Sequence, residues 1–204
     1  MNALIEEYPN AKDYLNFSNP LELMVAVILS AQVRDEAVNA LTPRLFNKYK
    51  NAKDYANADL KELTNEIKSI TFAGNKTKFI KDACNQLIKK HKGKVPKNLD
   101  ELTNLSGIGR KTANTILINA YGIVEGIPCD THVIRVSYRI GWTKSRNPDI
   151  IEKDLMNLLP KENWAKIAYV LKTHGKNVCK APIPICSKCL IKNLCPKNGV
   201  TSSL

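Results

Sequence analysis

The sequence lacks any apolar stretch close to the ~20 residues a membrane-spanning helix needs. The longest, LMVAVILSA at 23–31, has the length of a buried core helix. The opening MNALIEEYPN has neither a basic start nor a sustained apolar core, so it does not read as a secretory signal. No membrane partner is therefore expected, and an intracellular, cytoplasmic location is. Convincing period-2 strands are missing, as are internal repeats and low-complexity linkers, which excludes an all-β or solenoid architecture. Acidic residues are scarce: 19 Asp and Glu stand against 31 Lys and Arg in 204 residues, a net charge of +12. The lysines run from Lys12 to Lys197 instead of forming a tail, so the surplus belongs to the folded surface. A domain this basic expects a polyanion, with nucleic acid as the default partner.

Helix signals fill the chain. Asn19, Pro20 and Glu22 read as a cap, a first-turn proline and a capping partner opening a helix over 20–31. Asp35 opens another, disturbed at Pro43. The segments 57–70 and 75–93 are amphipathic, the second with Gly93 as its C-terminal cap. Shorter helices are expected at 98–105 and from Arg110 to Gly122, then at 130–141, 147–160 and 161–176. The reading is all-α, about ten helices, with GIVEGIPC at 122–129 as the seam between two lobes.

The stretch NLSGIGRKTANTILINAYG at 104–122 is a tight turn that leads straight into a basic helix start. Acidic residues are the usual occupants of a first helical turn, because the dipole favours anions there. Here Arg110 and Lys111 take that place, as if an anion arrives from outside. With 98–105 before it, the segment forms a helix-hairpin-helix. Gly107 and Gly109 allow a tight backbone and leave amides uncovered for a phosphate; an ordinary helical hairpin is the plain alternative. Lys111 offers a primary amine that can attack a sugar C1′ and form a Schiff base, or can simply pair with phosphate.

Asp130, in PCDTHVIRV, has the position of a helix N-cap. A carboxylate there also suits activation of an amine and stabilisation of an oxocarbenium ion, and the two roles are compatible. His132 and Arg135 fall on the same or the next turn, within reach of phosphate.

Six cysteines in a chain read as cytosolic argue for metal or catalysis before disulfides. Cys84 and Cys129 stand alone and read as packing. Cys179, Cys186, Cys189 and Cys195 form C-x6-C-x2-C-x5-C, a spacing able to close a tetrahedral zinc site or hold a [4Fe–4S] cluster. Zinc motifs more often pair two C-x2-C units, and only one is present, so the cluster fits better without excluding zinc. Lys188 and Lys192 beside the ligands would face phosphate in either case.

LSGIGRKTA, CDTHVIRV and the four-cysteine spacing, in that order, resemble the endonuclease III family of base-excision glycosylases, within the helix-hairpin-helix/Gly-Pro-Asp superfamily. ILSAQVRDEAVN at 28–39 resembles the family's early helix-and-loop motif, and the likeness runs over roughly 15–200. The resemblance implies two helical lobes with a DNA-binding cleft between them. One is a six-helix domain over 15–125; the other, 1–14 plus 126–204, carries the C-terminal [4Fe–4S] loop. It implies Lys111 as catalytic lysine, Asp130 as catalytic aspartate, Gln32 as the residue filling the hole left by an extruded base, and Phe72 as the apolar wedge. It also implies the four clustered cysteines as ligands of a largely structural [4Fe–4S] cluster. The expected partner is duplex DNA with a damaged base or an abasic site, bound by a monomer associated with the nucleoid. The expected activity is excision of oxidised pyrimidines followed by β-elimination.

The chain departs from the family pattern at Thr71 and Ala73, where Gly and Tyr are usual, and at Ser106, where Pro is. Thr103 stands at a position that is Glu in well-known members, which bears on lesion choice. Adenine-mismatch glycosylases share the cluster but carry a catalytic glutamate in the early helix, and MVAVILSAQ has no acid. Lys111 argues against a monofunctional thymine-mismatch enzyme. An abasic-site lyase and a non-enzymatic DNA-binding module remain as alternatives, the latter leaving the pair of Lys111 and Asp130 without purpose.

Overall fold

Every regular element is helical in the computed structural model, which describes residues 1–204. The α-helices run α1 (Asn2–Glu7), α2 (Pro20–Ser30), α3 (Asp35–Lys48), α4 (Ala52–Asn57), α5 (Leu60–Glu66) and α6 (Ala73–His91). They continue as α7 (Leu99–Thr103), α8 (Arg110–Ile116), α9 (Thr131–Arg139), α10 (Pro148–Leu158) and α11 (Trp164–Asn177). None is long and apolar enough to cross a membrane. The helices group into two units, Tyr14–Ile123 and Met1–Asp13 with Val124–Leu204.

The unit Tyr14–Ile123 is built around α2 and α6. Asn19 Oδ1 accepts the Glu22 amide at 3.0 Å and Pro20 fills the first turn, where a proline's missing N–H is not needed. Residues 23–29 of α2 are all buried, so the apolar run is a helix surrounded by others. Pro43 does not end α3, which continues to Lys48.

The segment expected as one helix over 57–70 is only α5, and α4 precedes it. A reciprocal capping box between Asn51 and Asp54 starts α4, and an extended ψ of 141° at Ala58 separates the two. Helix α6 packs on α2, α4 and α5. Two of its lysines close the C-terminal ends of earlier helices, whose last carbonyls have no partner of their own. Lys76 Nζ donates to Leu29 O and Ala31 O at 2.8 and 2.7 Å. Lys81 Nζ donates to Ala56 O at 2.8 Å and to Ala58 O. Helix α8 passes into a single π-helical turn, Leu117–Tyr121, which stops at Gly122.

In the second unit α11 packs against α9 and α1, and α10 against α9. Leu4 of α1 is fully buried in this core beside Val133, Val136, Leu155 and Leu171. A methyl group at Gly175 of α11 would lie 2.9 Å from His132 Nδ1 and 3.1 Å from an Arg135 guanidinium nitrogen. The glycine thus lets the first turns of α9 approach α11 closely. After α11 the chain wraps through the four cysteines, and Gly141 takes φ +79° against Pro196.

Candidate active site

The hairpin is α7, the turn 104–109 and α8. Asn98 caps α7 through the Glu101 amide at 2.8 Å. Gln86 of α6 holds the turn from both sides: its Oε1 accepts the Ser106 amide at 2.8 Å, and its Nε2 donates to Asn104 O at 3.1 Å. Leu105 and Ile108 plug the turn into the core. The two glycines have different reasons to be there. Gly107 has φ +77°, and a Cβ on it would lie 2.8 Å from Phe79 Cβ, so both conformation and space demand glycine. Gly109 has φ −91°, and a Cβ there would meet nothing within 4 Å. Its openness lies on the outside, at the start of a helix with no side-chain cap. Arg110 and Lys111 follow, both exposed. The amides of the first turn and two cations therefore face outward together, an arrangement suited to phosphate.

Gln32 and Phe72 lie in the same unit, and both adopt the left-handed conformation, at φ +57° and +60°. Such a conformation costs a non-glycine residue about 1–2 kcal/mol, and it collects where a side chain must be presented. Phe72 is 61% exposed, unusual for a phenylalanine. The Thr71 hydroxyl reaches Gln32 O at 3.4 Å, linking the two loops.

Asp130 caps α9 as its sequence position suggests. Its Oδ1 accepts the His132 and Val133 amides, both at 2.8 Å, and Oδ2 is left available. His132 is partly buried, and its Nδ1 accepts from an Arg135 guanidinium nitrogen at 3.1 Å. Burial holds His132 below the usual imidazole range against the opposing pull of Asp130, with Arg135, Lys172 and Lys176 adding to the lowering. Arg135 also donates to Cys179 O and Gly175 O at 3.0 and 2.9 Å. It ties α9 to the start of the cysteine loop, so most of its bonding is internal to the unit.

Cys179, Cys186, Cys189 and Cys195 line one cavity with Ile140, Val178, Pro184, Ile185 and Val200. No carboxylate is among its walls. Arg139, 7% exposed, donates to Lys180 O and Pro182 O at 2.7 and 2.9 Å, and places Nη1 3.6 Å from Cys179 Sγ. His174, 1% exposed, has Nδ1 3.1 Å from the Tyr8 hydroxyl and Nε2 3.7 Å from Cys189 Sγ. Burial keeps His174 neutral, with its pKa pushed down to about 4. No three side chains of the His, Cys, Asp and Glu type converge closely enough to chelate one metal ion. Cys84 and Cys129 are buried in the two cores, each thiol pushed up to about 12 by that burial. Lys188 is exposed on the turn between Cys186 and Cys189.

Residues 25–161 match the model of the HhH-GPD superfamily base excision DNA repair protein. Endonuclease III of Bacillus subtilis is 44% identical over 196 residues, covering 96% of this chain and 89% of that protein. Endonuclease III of Synechocystis sp. is 43% identical over 189 residues, covering 93% and 86%. The chain belongs to the endonuclease III family. It is accordingly a DNA N-glycosylase and abasic-site lyase of base-excision repair. A solved endonuclease III–DNA covalent intermediate, trapped with an estranged adenine, superimposes with a TM-score of 0.92 at 41% identity, over 96% of this chain and 92% of that one. A thermostable thymine-DNA glycosylase shares the fold, with a TM-score of 0.84 at 21% identity.

Four residues that shape the neighbourhood of this endonuclease III family site leave no local trace in the sequence. Gln86 braces the hairpin, Lys76 holds the end of α2, and Arg139 and His174 stand beside the cysteines. Each acts across at least 15 residues of chain, and two of them across more than 40, where spacing rules are silent.

Proposed function

We propose that the protein excises oxidised pyrimidines from duplex DNA and then nicks the strand at the resulting abasic site. Lys111 Nζ attacks C1′ of a nucleotide rotated out of the stack. The C1′–N bond breaks, and the base leaves with a proton. The sugar ring opens to a Schiff base on Lys111. Loss of a C2′ proton then expels the 3′ phosphate, and water returns the lysine. Asp130 supports the attack through Oδ2, while the two amides on Oδ1 fix its orientation; a carboxylate so held stabilises positive charge developing on the sugar. Gln32 and Phe72 fill and buckle the duplex where the nucleotide leaves it. Gly107, Gly109, Arg110 and Lys188 contact phosphates, with His132 lending its outer edge and Arg135 supporting it.

The observation that carries this reading is the exposed amine of Lys111. It stands one residue inside an uncapped hairpin helix, in a chain 41% identical to a protein trapped covalently on DNA. The cysteine cavity suits a [4Fe–4S] cluster: four thiols, no carboxylate, and a buried guanidinium beside one sulfur to offset thiolate charge. When bound, the cluster would tie the four cysteines together and so fix the loop that presents Lys188 and Lys192.

A panel of duplexes, each holding one oxidised pyrimidine, one oxidised purine, one mismatch or one pre-formed abasic site, tests the reading. Release of free base from the oxidised pyrimidines and strand cleavage at the abasic site are expected. Cleavage at the abasic site with no base released from any lesion would reduce the protein to a lyase.

A further inference from the structure

Lys76 is 4% exposed, and burial pulls its amine below the usual lysine range, yet no carboxylate accompanies it. A buried ammonium is costly unless it is hydrogen-bonded, so two carbonyls and the negative end of the α2 dipole have to stabilise it. Those carbonyls, Leu29 O and Ala31 O, lie immediately before Gln32. The backbone amide of the same lysine donates to Phe72 O at 3.0 Å. One residue therefore holds the left-handed loop that presents Gln32 and the left-handed helix start that presents Phe72. Thr71, through its 3.4 Å bond to Gln32 O, adds a second tie across the same gap. A lysine needed only to close α2 has no reason to sit one turn from Phe72, when Lys81 closes α4 from the middle of α6.

We propose that Lys76, assisted by Thr71, is a positioning residue for base extrusion, setting Gln32 and Phe72 as one rigid pair so that both enter the duplex together. The proposal rests on the reading of Gln32 and Phe72 as the residues that fill and buckle the duplex. Extrusion from a paired duplex requires unstacking and unpairing, whereas a bulged or unpaired nucleotide is already partly released. Loss of the tie must therefore slow excision selectively where the lesion is paired.

The test is single-turnover excision of one oxidised pyrimidine, placed either opposite its complement or in an unpaired bulge. Lys76→Met keeps the stem and removes the donors. It is expected to slow the paired substrate about 10-fold or more and the bulged one less than about 3-fold, since only the former pays the full extrusion cost. Lys76→Arg restores donors and should recover most of the difference. In a Gln32→Ala/Phe72→Ala background, Lys76→Met should add no further selective loss. Thr71→Val, on the surface and harmless to folding, should show a smaller loss of the same selectivity, and it decides the matter should Lys76→Met fail to fold. Equal slowing on both substrates, additivity in the double-alanine background, or unchanged selectivity in Thr71→Val would overturn the proposal. An unaffected Gln32→Ala/Phe72→Ala protein would instead remove the wedge reading beneath it.

Discussion

Replacing Gly107 by alanine puts two costs on one atom. The residue sits at φ +77°, where an L side chain loses about 1–2 kcal/mol. The new Cβ would stand 2.8 Å from Phe79 Cβ and 2.9 Å from Cγ. Phe79 Cβ is bonded directly to the α6 backbone, so no rotamer change moves it away, and relief requires shifting the turn against the helix. Overpacking of that kind costs roughly 1–3 kcal/mol, for a sum of about 2–5 kcal/mol. At about 2–4 °C per kcal/mol for a chain of this size, the apparent melting temperature should fall by roughly 4–20 °C. Gly109→Ala is the internal control. Its backbone is ordinary and its Cβ enters open space, so only the weaker N-capping of alanine, about 0.5–1 kcal/mol, is lost. That space is where a phosphate would lie, so Gly109→Ala should bind duplex several-fold more weakly at nearly unchanged stability. Thermal unfolding and fluorescence-anisotropy titration of both variants make the comparison. A Gly107→Ala protein as stable as wild type would refute the packing demand at the first glycine, and a Gly109→Ala protein that binds duplex normally would refute the phosphate-facing space at the second.

Asp130→Asn should leave the melting temperature within about 1 °C, because asparagine caps helices as well as aspartate does, while excision falls ~10²-fold or more; full activity would leave Asp130 as a cap alone. Lowering the pH should destabilise the second unit through His132. Its folded pKa lies below the unfolded 6.5, so the unfolded chain takes up the proton first, and stability that is level above pH 6.5 declines as the pH falls from there toward the folded value. The urea midpoint should drop between pH 7.5 and 5.5 and respond less in His132→Gln, with Asp130, Arg135, Lys172 and Lys176 unchanged around it; an identical drop in the variant would discharge His132. Arg139→Met should leave Lys180 O and Pro182 O without donors and Cys179 Sγ without its cation. The expected result is protein with less than the four irons and four sulfides per chain and the brown colour expected of wild type; colourless wild-type protein holding one zinc would contradict the cluster.

What the sequence made legible is what lies within a few residues of its cause. Asn19 and Asp130 could be read as caps because each bonds an amide two or three residues on. The hairpin turn, the basic helix start and the cysteine spacing are likewise contiguous. Helix α4 escaped notice because six residues show less than two turns of periodicity, and nearly all of it lies ahead of the helix expected at 57–70. The contrast between Gly107 and Gly109 was invisible because Phe79, which separates them, lies 28 residues away from the first. Gln32 and Phe72 could be named by resemblance, but their shared left-handed conformation could not. That conformation depends on Lys76 and Thr71 reaching across from α6 and its approach.

Borohydride captures Lys111 on the DNA if its amine is the nucleophile. A Schiff base between Lys111 and C1′ is reduced to a stable amine, so wild-type protein mixed with oxidised-pyrimidine or abasic duplex should yield a one-to-one covalent adduct. Peptide mapping of that adduct should place the DNA on Lys111. Lys111→Gln keeps the length and hydrogen bonding of the side chain and leaves the hairpin amides untouched, so it should still bind duplex while trapping and strand cleavage vanish. Undiminished trapping in Lys111→Gln, or an adduct mapped to another amine, would remove Lys111 as the nucleophile.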